Sequence, residues 1–536
     1  MSRQQQKSLD SYLEEQGLAL PLLMEAAGAA VARLLRTAAE SCKAALPEVD
    51  LLAGPGMNGG DIYVAARKLL ARGLSVTVWE AASAARAETG TAASMRRAAA
   101  GAGVRLRPLG EYTARPALVA DGLLGAGYEP GRELAADLAE ALRQLGLAKG
   151  QGAYIVACDL PSGVAADSGF VHPLTVAADQ TVTFLAPKIG LLQSPACQYN
   201  GELIIDNLEL PRELLDCFWH TYEAEPGHKT PLRHGEPWPP NLYPNEVFAL
   251  TPTEFSSLLR CVPSDAHKGS QGHLLAVAGS PGMAGAARLA GEAALRSGTG
   301  LVTILCDRAI YPELFAALPS LLYEIPANAD SSTWLRSLEA RCDRTDAVLL
   351  GPGLGRTPRS ALLLLGLLTW DQPLVLDADA LFALANSAEA QAALRERAFG
   401  GKVTILTPHG GEAALLAAAY GLASWNGAAR LWQAAALAHA TQAWVVLKGE
   451  ATLVASPAGR VYVNRTGGRG LAKGGSGDIL AGLMSALVAQ GLSPEAAAPA
   501  AVYWHGAAAD CASDRLGWRS LAPTDTLAAL GEIAPH

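Results

Sequence analysis

The chain has 536 residues and half of them are apolar, which is enough to form two large hydrophobic cores. Its 42 Lys and Arg residues against 51 Asp and Glu residues give a net charge of −9, which argues against a nucleic-acid-binding protein. The eight cysteines include no Cys-x-x-Cys pair, a pattern typical of reduced thiols in a cytoplasmic protein without a zinc site. The longest apolar run, 361–370, is too short to cross a bilayer, so we expect no membrane association.

The first predicted helix covers residues 18–35. Glu14 and Glu15 precede its apolar residues and Glu25 interrupts them, so we interpret the segment as an amphipathic helix rather than a signal peptide. The residues that follow predict a βαβ unit with a glycine-rich first turn. Its strand, turn, helix and second strand are predicted at 49–52, 54–61, 62–72 and 75–79.

The glycine-rich turn satisfies a dinucleotide-binding pattern. Gly54, Gly56 and Gly59 have the required spacing, and Glu80 stands at the end of the next strand as a possible ribose partner. However, Asp61 opens the helix where a pyrophosphate would lie, and its carboxylate would repel that group. A dehydrogenase is therefore the weaker alternative for this part of the chain.

Two further predicted strands, 117–120 and 154–158, end in polar residues. In open parallel sheets, ligands bind beyond the carboxyl ends of the strands. We therefore expect Asn58, Asp121 and Ser162 to converge there as hard oxygen donors for a cation such as potassium or magnesium. Asp159 is then left as a possible acid–base group. The alternative is that Asp121 and Asp159 merely cap turns.

Four motifs in this region resemble those of the NAD(P)H-hydrate epimerase family, and the likeness covers about residues 15–215. They are Gly-Pro-Gly-x-Asn-Gly-Gly-Asp, the loop that begins with Asp121, Asp-Leu-Pro-Ser-Gly and Thr-Phe-Leu-Ala-Pro-Lys-Ile-Gly, at 54–61, 121–127, 159–163 and 183–190. The resemblance implies a Rossmann-like three-layer domain. Such a domain interconverts the R and S forms of NAD(P)H hydrated at C6, here called NAD(P)HX.

The resemblance also implies roles for individual residues. Asp159 is implied as the catalytic residue, and Asn58, Asp121 and Ser162 as ligands of potassium. The implied contacts to NAD(P)HX are Asn58, Gly59, Gly60, Asp61, Ile62, Gly125, Ala126, Gly127, Tyr128, Glu129, Pro130, Gly131 and Asp159. Lys188 of the last motif is either a functional or a surface lysine. The chain departs from the family pattern at Ala26, Met57 and Ile62, which removes polar groups or adds bulk.

The segment 225–244 contains six prolines and no periodic pattern of apolar residues. Proline blocks helices and central strands, so we interpret this segment as a linker. The run Thr-Pro-Thr-Glu at 251–254 then predicts a capped helix near the start of a second domain. We predict a first domain at 1–220, a linker at 221–245 and a second domain at 246–536.

Alternating strands and helices in the second domain predict a doubly wound α/β fold with functional loops on one edge of its sheet. Polar or glycine-rich residues follow several of the strands, among them Gly353, Asp377, His409 and Lys448. Strands are predicted at 274–278, 302–306, 347–350, 374–376, 404–406, 444–447, 452–455 and 460–463, the last two as a hairpin.

The segment 471–482 combines a glycine-rich turn with the start of an apolar helix. Glycines let backbone N–H groups point toward one position, and the helix adds its unpaired N-terminal donors, so this segment predicts a phosphate-binding anion site. Asp478 at its edge could take a proton from a hydroxyl that attacks a phosphoryl group. The alternative is that Asp478 only caps the helix. The run Gly-Gly-Ser-Gly-Asp resembles the anion-hole motif of the ribokinase-like superfamily.

Five motifs in unchanged order are similar to those of ADP-dependent NAD(P)H-hydrate dehydratase, over about residues 250–525. They lie at 267–269, 351–353, 407–409, 447–449 and 475–478. The resemblance implies that the nucleotide is held by Lys448, Gly449, Glu450, Ala451, Thr452 and Gly477. It implies that NAD(P)HX is held by Ala286, Gly353, His409 and Asp478.

These resemblances together predict a cytoplasmic enzyme, which we expect to be a homo-oligomer, that repairs NAD(P)HX. ADP would phosphorylate the C6 hydroxyl of the S form, Mg²⁺ would bridge the nucleotide phosphates, and Asp478 would accept the hydroxyl proton. Potassium would bind in the epimerase domain. The alternative is a small-molecule kinase for a vitamin or a sugar, with a Rossmann-like first domain that binds without catalysis.

Overall fold

The computed structural model describes residues 1–41, 48–224, 246–259, 266–422, 425 and 430–534. The chain divides into two compact units, Met1–Thr230 and Pro231–His536. Residues 225–245, which carry the prolines of the predicted linker, lie outside the described residues. The first four positions of that predicted linker, 221–224, belong to a helix that ends at Ala224.

The first unit is built on a seven-stranded parallel sheet. Its strands are β1 (Val49–Ala53), β2 (Val76–Glu80), β3 (Arg105–Pro108), β4 (Leu118–Gly122), β5 (Tyr154–Cys158), β6 (Gln180–Phe184) and β7 (Glu202–Asp206). Its helices are α1 (Arg3–Glu15), α2 (Leu20–Ser41), α3 (Met57–Leu70), α4 (Ala82–Ala85), α5 (Thr91–Gly101), α6 (Ala136–Gly150) and α7 (Arg212–Ala224). The strands lie in the order β3-β2-β1-β4-β5-β6-β7.

The two faces of this sheet bury different cores, because successive side chains of a strand point to opposite faces. Leu51 of β1 packs with α1, α2, α3 and α5, whereas Leu52 packs with α6. The first unit is therefore a three-layer α/β domain, as predicted.

The chain reverses its direction of travel across the sheet between β1 and β4, which pair directly with each other. Loops that leave the carboxyl ends of two such strands diverge to opposite faces and leave a crevice for a ligand. The loop after β1 comes very close to the loop after β4. A Cβ at Gly54 would lie 1.8 Å from the carbonyl oxygen of Leu123. Glycine is therefore required where the loop after β1 crosses the loop after β4.

The predicted βαβ unit is confirmed, with one correction at the start of its helix. The prediction began this helix at Ile62, but α3 begins at Met57. Asn58, Gly59 and Gly60 therefore lie in its first turn, and Asp61 follows them in the helix rather than in the preceding loop. The first N–H groups of α3 form the positive end of its dipole, and Met57 and Asn58 of this turn line the cavity described below.

The first helix of the chain, α1, was not predicted. It begins with a capping box in which Ser2 accepts a hydrogen bond from the backbone of Gln5 and the Gln5 side chain accepts one from the backbone of Ser2. Leu9 and Leu13 bury its apolar face in the core shared with α2. The predicted helix at 18–35 corresponds to α2.

The second unit contains a ten-stranded sheet. Its strands are β8 (Glu246–Ala249), β9 (His273–Val277), β10 (Leu301–Leu305), β11 (Leu322–Glu324), β12 (Ala347–Leu350), β13 (Leu374–Leu376), β14 (Thr404–Leu406), β15 (Trp444–Leu447), β16 (Leu453–Ala455) and β17 (Arg460–Val463). Its helices are α8 (Pro252–Leu258), α9 (Ala284–Arg296), α10 (Tyr311–Ala317), α11 (Ser331–Glu339), α12 (Pro358–Leu368), α13 (Asp379–Ala385), α14 (Ala388–Phe399), α15 (Gly410–Ala419), α16 (Arg430–Thr441), α17 (Ser476–Ala489), α18 (Pro494–Leu516) and α19 (Pro523–Ile533).

The strand order is β11-β10-β9-β12-β13-β14-β15-β16-β17-β8. All neighbours pair in parallel except β15 with β16 and β16 with β17, which pair antiparallel. The strands β16 and β17 form the predicted hairpin. The eight predicted strands are confirmed, and β8 and β11 are additional. The chain reverses across the sheet between β9 and β12, so this unit also has a crevice at the carboxyl ends of its strands.

Among the described residues, no single helix is long and apolar enough to cross a membrane. The pair formed by α1 and residues 20–40 of α2 passes that test together, by length and composition only, with a bend of 118° between the two helices. Leu9, Leu13, Leu23 and Leu35 of this pair are buried in the core of the first unit.

We predict that residues 246–536 fold without the first unit. They include β8, which pairs with β17 and completes one edge of the second sheet. The fragment should unfold in one cooperative thermal transition, followed by circular dichroism. A fragment of residues 251–536 is the control: it lacks β8, leaves the β17 edge unpaired, and should unfold at a lower temperature. Aggregation or non-cooperative unfolding of the longer fragment would contradict two independent units.

Candidate active sites

The first unit contains a cavity of about 890 Å³ at the carboxyl edge of its sheet. The start of α3, the loop that follows β4 and the residue after β5 form most of its wall, and α1 covers one side. The predicted binding residues that line it are Asn58, Gly125, Ala126, Gly127, Tyr128, Glu129 and Asp159. The cavity lies at the position that the switch in strand order predicts for a ligand.

Six predicted binding residues do not line this cavity: Gly59, Gly60, Asp61, Ile62, Pro130 and Gly131. Ile62 is fully buried, and a Cβ at Gly122 would lie 2.2 Å from its Cγ1, so its side chain belongs to the core. Asp61 is also buried, and burial together with the charge of Asp159 raises its pKa well above the ordinary value. Asp61 is therefore suited to a protonated, interior role.

Asp159 forms a buried ion pair with Lys188. The Lys188 ammonium group donates to Asp159 Oδ1 at 2.5 Å, and the Thr183 hydroxyl donates to the same oxygen at 3.0 Å. The side chains of Lys188 and Asp159 are 0% and 4% exposed. The sequence left Lys188 open as a functional or a surface residue; it is an interior one. Asp159 has a left-handed backbone, with φ of 65°, which Asp and Asn adopt more readily than most residues.

Asp121 and Ser162 form a compact group of oxygen atoms beside Asn58. The Ser162 hydroxyl and backbone N–H donate to the two Asp121 carboxylate oxygens at 2.5 and 2.9 Å. The Asn58 side-chain amide donates to the carbonyl of Cys158 at 2.6 Å, and its oxygen lies against Gly125. These are hard oxygen donors with one carboxylate charge, which fit a potassium ion. The described residues include no group of three or more His, Cys, Asp or Glu that could hold a metal ion.

The helix α1 adds four cavity residues that the sequence did not predict: Arg3, Gln6, Lys7 and Asp10. They follow the i, i+3, i+4, i+7 spacing of one helical face, beside the face that buries Leu9 and Leu13. That polar stripe is the signal in the sequence that could have revealed them.

In the second unit, the residues after three neighbouring strands meet at one point. The Lys448 ammonium group, after β15, donates to Asp377 Oδ1, after β13, at 2.7 Å. The Thr407 hydroxyl, after β14, donates to the same oxygen at 2.7 Å. Burial lowers the pKa of Lys448, but the charges of Asp377 and Glu412 raise it, and the net direction is upward. Lys448 therefore remains a cation at the carboxyl edge of the sheet.

Asp478 lies in the first turn of α17 beside this cluster. Gly475 precedes the helix with φ of 101°, a left-handed conformation in which glycine is unstrained. A Cβ at Gly477 would lie 3.3 Å from Lys448 Nζ, so the lysine faces the anion-binding turn. Burial and the charge of Asp377 raise the pKa of Asp478 to about 6, whereas Lys448 lowers it. This carboxyl therefore has a pKa suited to proton transfer near neutral pH.

The loop from Lys448 to Thr452 is held by one arginine. The Arg430 guanidinium donates to the carbonyls of Leu447, Lys448, Glu450 and Ala451. These contacts hold the carbonyl groups of the loop, and the Lys448 backbone N–H donates to the carbonyl of Pro408 at 2.8 Å. The turn carries five of the six predicted nucleotide residues, and Gly477 lies beside Lys448 in the first turn of α17.

Of the predicted NAD(P)HX residues of the second unit, Gly353 and His409 follow β12 and β14, whereas Ala286 and Asp478 lie in the first turns of α9 and α17. His409 begins α15 as its N-cap, accepts from Gly411 N–H at 3.0 Å, and forms a capping box with Glu412. Its side chain is 60% exposed, and its Nε2 lies 3.3 Å from Glu412 Oε1. Gly353 lies against Ala286, since a Cβ on the glycine would be 2.9 Å from that of the alanine. Asp377 directly follows β13 and is among the polar residues that the sequence places after strands, but no binding or catalytic role was predicted for it.

Two family profiles match the chain. One described as NAD(P)H-hydrate dehydratase matches residues 274–531, and one described as YjeF-related protein N-terminus matches residues 21–190, beginning after α1. The chain is 36% identical over 481 residues to the bifunctional NAD(P)H-hydrate repair enzyme Nnr of Coxiella burnetii, covering 89% of this chain and 88% of that protein. The enzyme of the same name from Escherichia coli is 33% identical over 523 residues, covering 96% of this chain and 90% of that protein.

A solved structure that the chain resembles is the ADP/ATP-dependent NAD(P)H-hydrate dehydratase from Bacillus subtilis, co-crystallised with ATP and Mg²⁺. It is 30% identical, with a TM-score of 0.45, and the match covers 53% of this chain and 96% of that one.

We predict that Lys188→Met lowers the free energy of unfolding of the first unit by about 3–5 kcal/mol, because it leaves the Asp159 carboxylate buried without a partner. Urea denaturation of the full chain, followed by circular dichroism, measures this change. The double variant Lys188→Met/Asp159→Asn should recover part of the loss. Arg36→Met is the control: its ion pair with Glu40 is exposed, so the expected change is about 0.3–0.5 kcal/mol. Equal losses of unfolding free energy in Lys188→Met and Arg36→Met would contradict a stabilising buried pair.

Proposed function

The chain belongs to the family of bifunctional NAD(P)H-hydrate repair enzymes, with an epimerase domain followed by a dehydratase domain, and we propose a role for each cluster of polar residues described above. The first unit interconverts R- and S-NAD(P)HX in its cavity. The second unit dehydrates S-NAD(P)HX to NAD(P)H with ADP as phosphoryl donor. The observation that carries this division is that each unit has its own Asp–Lys ion pair at the carboxyl ends of parallel strands, with the Lys188 side chain 0% exposed and that of Lys448 18% exposed.

In the dehydratase reaction, the C6 hydroxyl is a poor leaving group and must first be converted into a phosphate, which leaves readily. Asp478 accepts the proton of the C6 hydroxyl as that oxygen attacks the phosphoryl group, and the backbone amides of 475–478 stabilise the charge on the group in transfer. The N1 lone pair then assists departure of phosphate from C6, and loss of a proton from C5 gives NAD(P)H. Asp478 is suited to the first step because it lies beside the anion-binding turn.

The turn from Lys448 to Thr452, together with Gly477, holds the nucleotide phosphates. Lys448 supplies a cation whose position is fixed by Asp377 and Thr407. Mg²⁺, when bound with the nucleotide, neutralises phosphate charge. His409 and Gly353 bind the hydrated cofactor opposite Asp478. A small-molecule kinase is the weaker interpretation, because the first unit would then have no part in the reaction.

In the first unit, Asp159 accepts or donates a proton at the C6 hydroxyl. Lys188 compensates the negative charge of the Asp159 carboxylate. The oxygen atoms of Asn58, Asp121 and Ser162 would hold a potassium ion, which supplies positive charge for the cofactor's phosphates. Magnesium would demand a stricter geometry than this group of one carboxylate, one hydroxyl and one amide offers. Cytoplasmic location, homo-oligomerisation and the absence of nucleic-acid or membrane partners stay predictions from the sequence.

We predict that Asp478→Asn lowers the rate of dehydration of S-NADHX by about 10²–10⁴-fold, because the general base is lost. Nucleotide affinity, measured by calorimetry, should change little, since Lys448 remains. For the unsubstituted protein, kcat/KM should fall as the pH drops through about 6, where Asp478 becomes protonated. Asp379→Asn, at the first residue of α13, is the control that should keep this profile. Near-normal turnover of Asp478→Asn would remove Asp478 from the mechanism.

We predict that Asp159→Asn abolishes conversion of R-NADHX while dehydration of S-NADHX is unchanged, because the two reactions occur in different units. Asparagine is the matched substitution, since it tolerates the left-handed backbone at this position. The measurement is NADH absorbance from pure R-NADHX with ADP, corrected for spontaneous epimerisation. Asp121→Asn should weaken potassium dependence and cofactor binding together. A rate for Asp159→Asn equal to that of the unsubstituted protein, above background, would show that Asp159 only caps a turn.

A further inference from the structure

One face of α1 presents charged and amide groups to the cavity of the first unit. Gln6 and Asp10 are separated by one helical turn, and both line the cavity together with Asp159. The Gln6 side-chain oxygen is buried and has no hydrogen-bond partner among the described residues. A buried acceptor without a partner is costly in a folded protein and indicates a missing donor, such as a ligand amide or hydroxyl.

The position of α1 over the cavity is fixed by contacts at its start and on its apolar face. The Arg3 backbone N–H donates to Asp167 at 2.8 Å, and the Arg3 guanidinium donates to Glu129 at 3.2 Å on the loop after β4. Leu9 and Leu13 are buried in the core. Asp10, which lies between these two leucines in the sequence, is therefore held at the cavity wall.

Asp10 shares the cavity with Asp159 of the buried ion pair. Burial raises the pKa of Asp10 to about 6; the Lys188 charge opposes this shift, and the Asp159 and Glu14 charges add to it. The other charged groups that line the cavity are Arg3, Lys7, Glu129, Arg132 and Glu133. A carboxyl in this environment has both protonation states available near neutral pH, as an acid–base catalyst requires.

We propose that Asp10 is the second acid–base residue of the epimerase cavity, acting on the side of the C6 centre opposite to Asp159, with Gln6 as a binding residue for the hydrated ring. This inference rests on the proposed epimerase function of the first unit. It assigns a catalytic role to a helix that lies before the matched region of the family profile.

Inversion at C6 needs a proton donor on one face and an acceptor on the other. Asp10 donates a proton to the C6 hydroxyl, the C6–O bond breaks as the N1 lone pair forms a C6=N1 double bond, and water leaves. A second water attacks the opposite face of the planar C6, the new C6–O bond forms, and N1 regains its lone pair. Asp159 takes the proton of that water. One water leaves and one enters, and the reverse reaction uses the same two carboxyls with exchanged roles.

The experiment uses the full chain with pure R-NADHX and ADP. An excess of purified 246–536 fragment, or of another S-specific dehydratase, makes epimerisation rate-limiting. Asp10→Asn should lower the kcat of epimerisation by about 10²-fold or more with little change in KM, because a proton donor is lost while binding is kept. Asp10→Glu should retain part of kcat, since it keeps a carboxyl. Gln6→Leu should raise KM instead, because it removes a hydrogen-bond acceptor.

Glu15→Gln is the matched control, since it removes one carboxylate from an exposed position of the same helix and should leave both constants unchanged. Equal melting temperatures and equal S-NADHX dehydration rates show that the variants are folded. Unchanged kcat in Asp10→Asn would overturn the inference alone, and so would a change confined to KM. Failure of the unsubstituted protein to exceed spontaneous epimerisation would instead overturn the epimerase function on which the inference rests.

Discussion

In both units, a lysine ammonium group is paired with an aspartate at the carboxyl end of a parallel strand. Lys188 donates to Asp159 after β5, and Lys448 donates to Asp377 after β13. A buried carboxylate without a partner is strongly destabilising, so each lysine allows a negative group to remain where water is scarce. The charge of Lys448 also opposes the rise in the pKa of Asp478 beside this pair.

The sequence predicts the location of both sites better than it predicts their internal pairing. Asp121 lies near the end of β4, and Asp159 and Lys448 follow β5 and β15. Parallel strands bring such residues to one edge of each sheet, so the location of each site could be foreseen. The partner of a given lysine could not. Lys448 and Asp377 are 71 residues apart, and only the strand order β13-β14-β15 brings them together. The role of Asp377 therefore emerged only from the structure.

Local sequence preferences explain two errors of prediction in the first unit: the late start of α3 and the missed helix α1. The first turn of α3 contains Gly59 and Gly60, which disfavour helix, so the prediction began the helix later. Tertiary packing overrides this preference, because Gly59 allows close contact with Gly54. The helix α1 has only Leu9 and Leu13 as fully buried residues, too few for a clear apolar period. Its stability comes from packing on the rest of the unit rather than from its own sequence.

The three departures from the epimerase pattern lie away from the Asp159–Lys188 pair. Ala26 packs against the core, and the bulk of Ile62 fills space beside Gly122 without entering the cavity. Met57 lies at the cavity wall with 43% of its surface exposed, so it alters the entrance and its polarity. A change at the entrance affects how the hydrated cofactor is bound, whereas proton transfer depends on groups held deeper in the fold. Met57 therefore bears on affinity and specificity, Ala26 and Ile62 belong to the core, and none of the three replaces an acid–base group of the first unit.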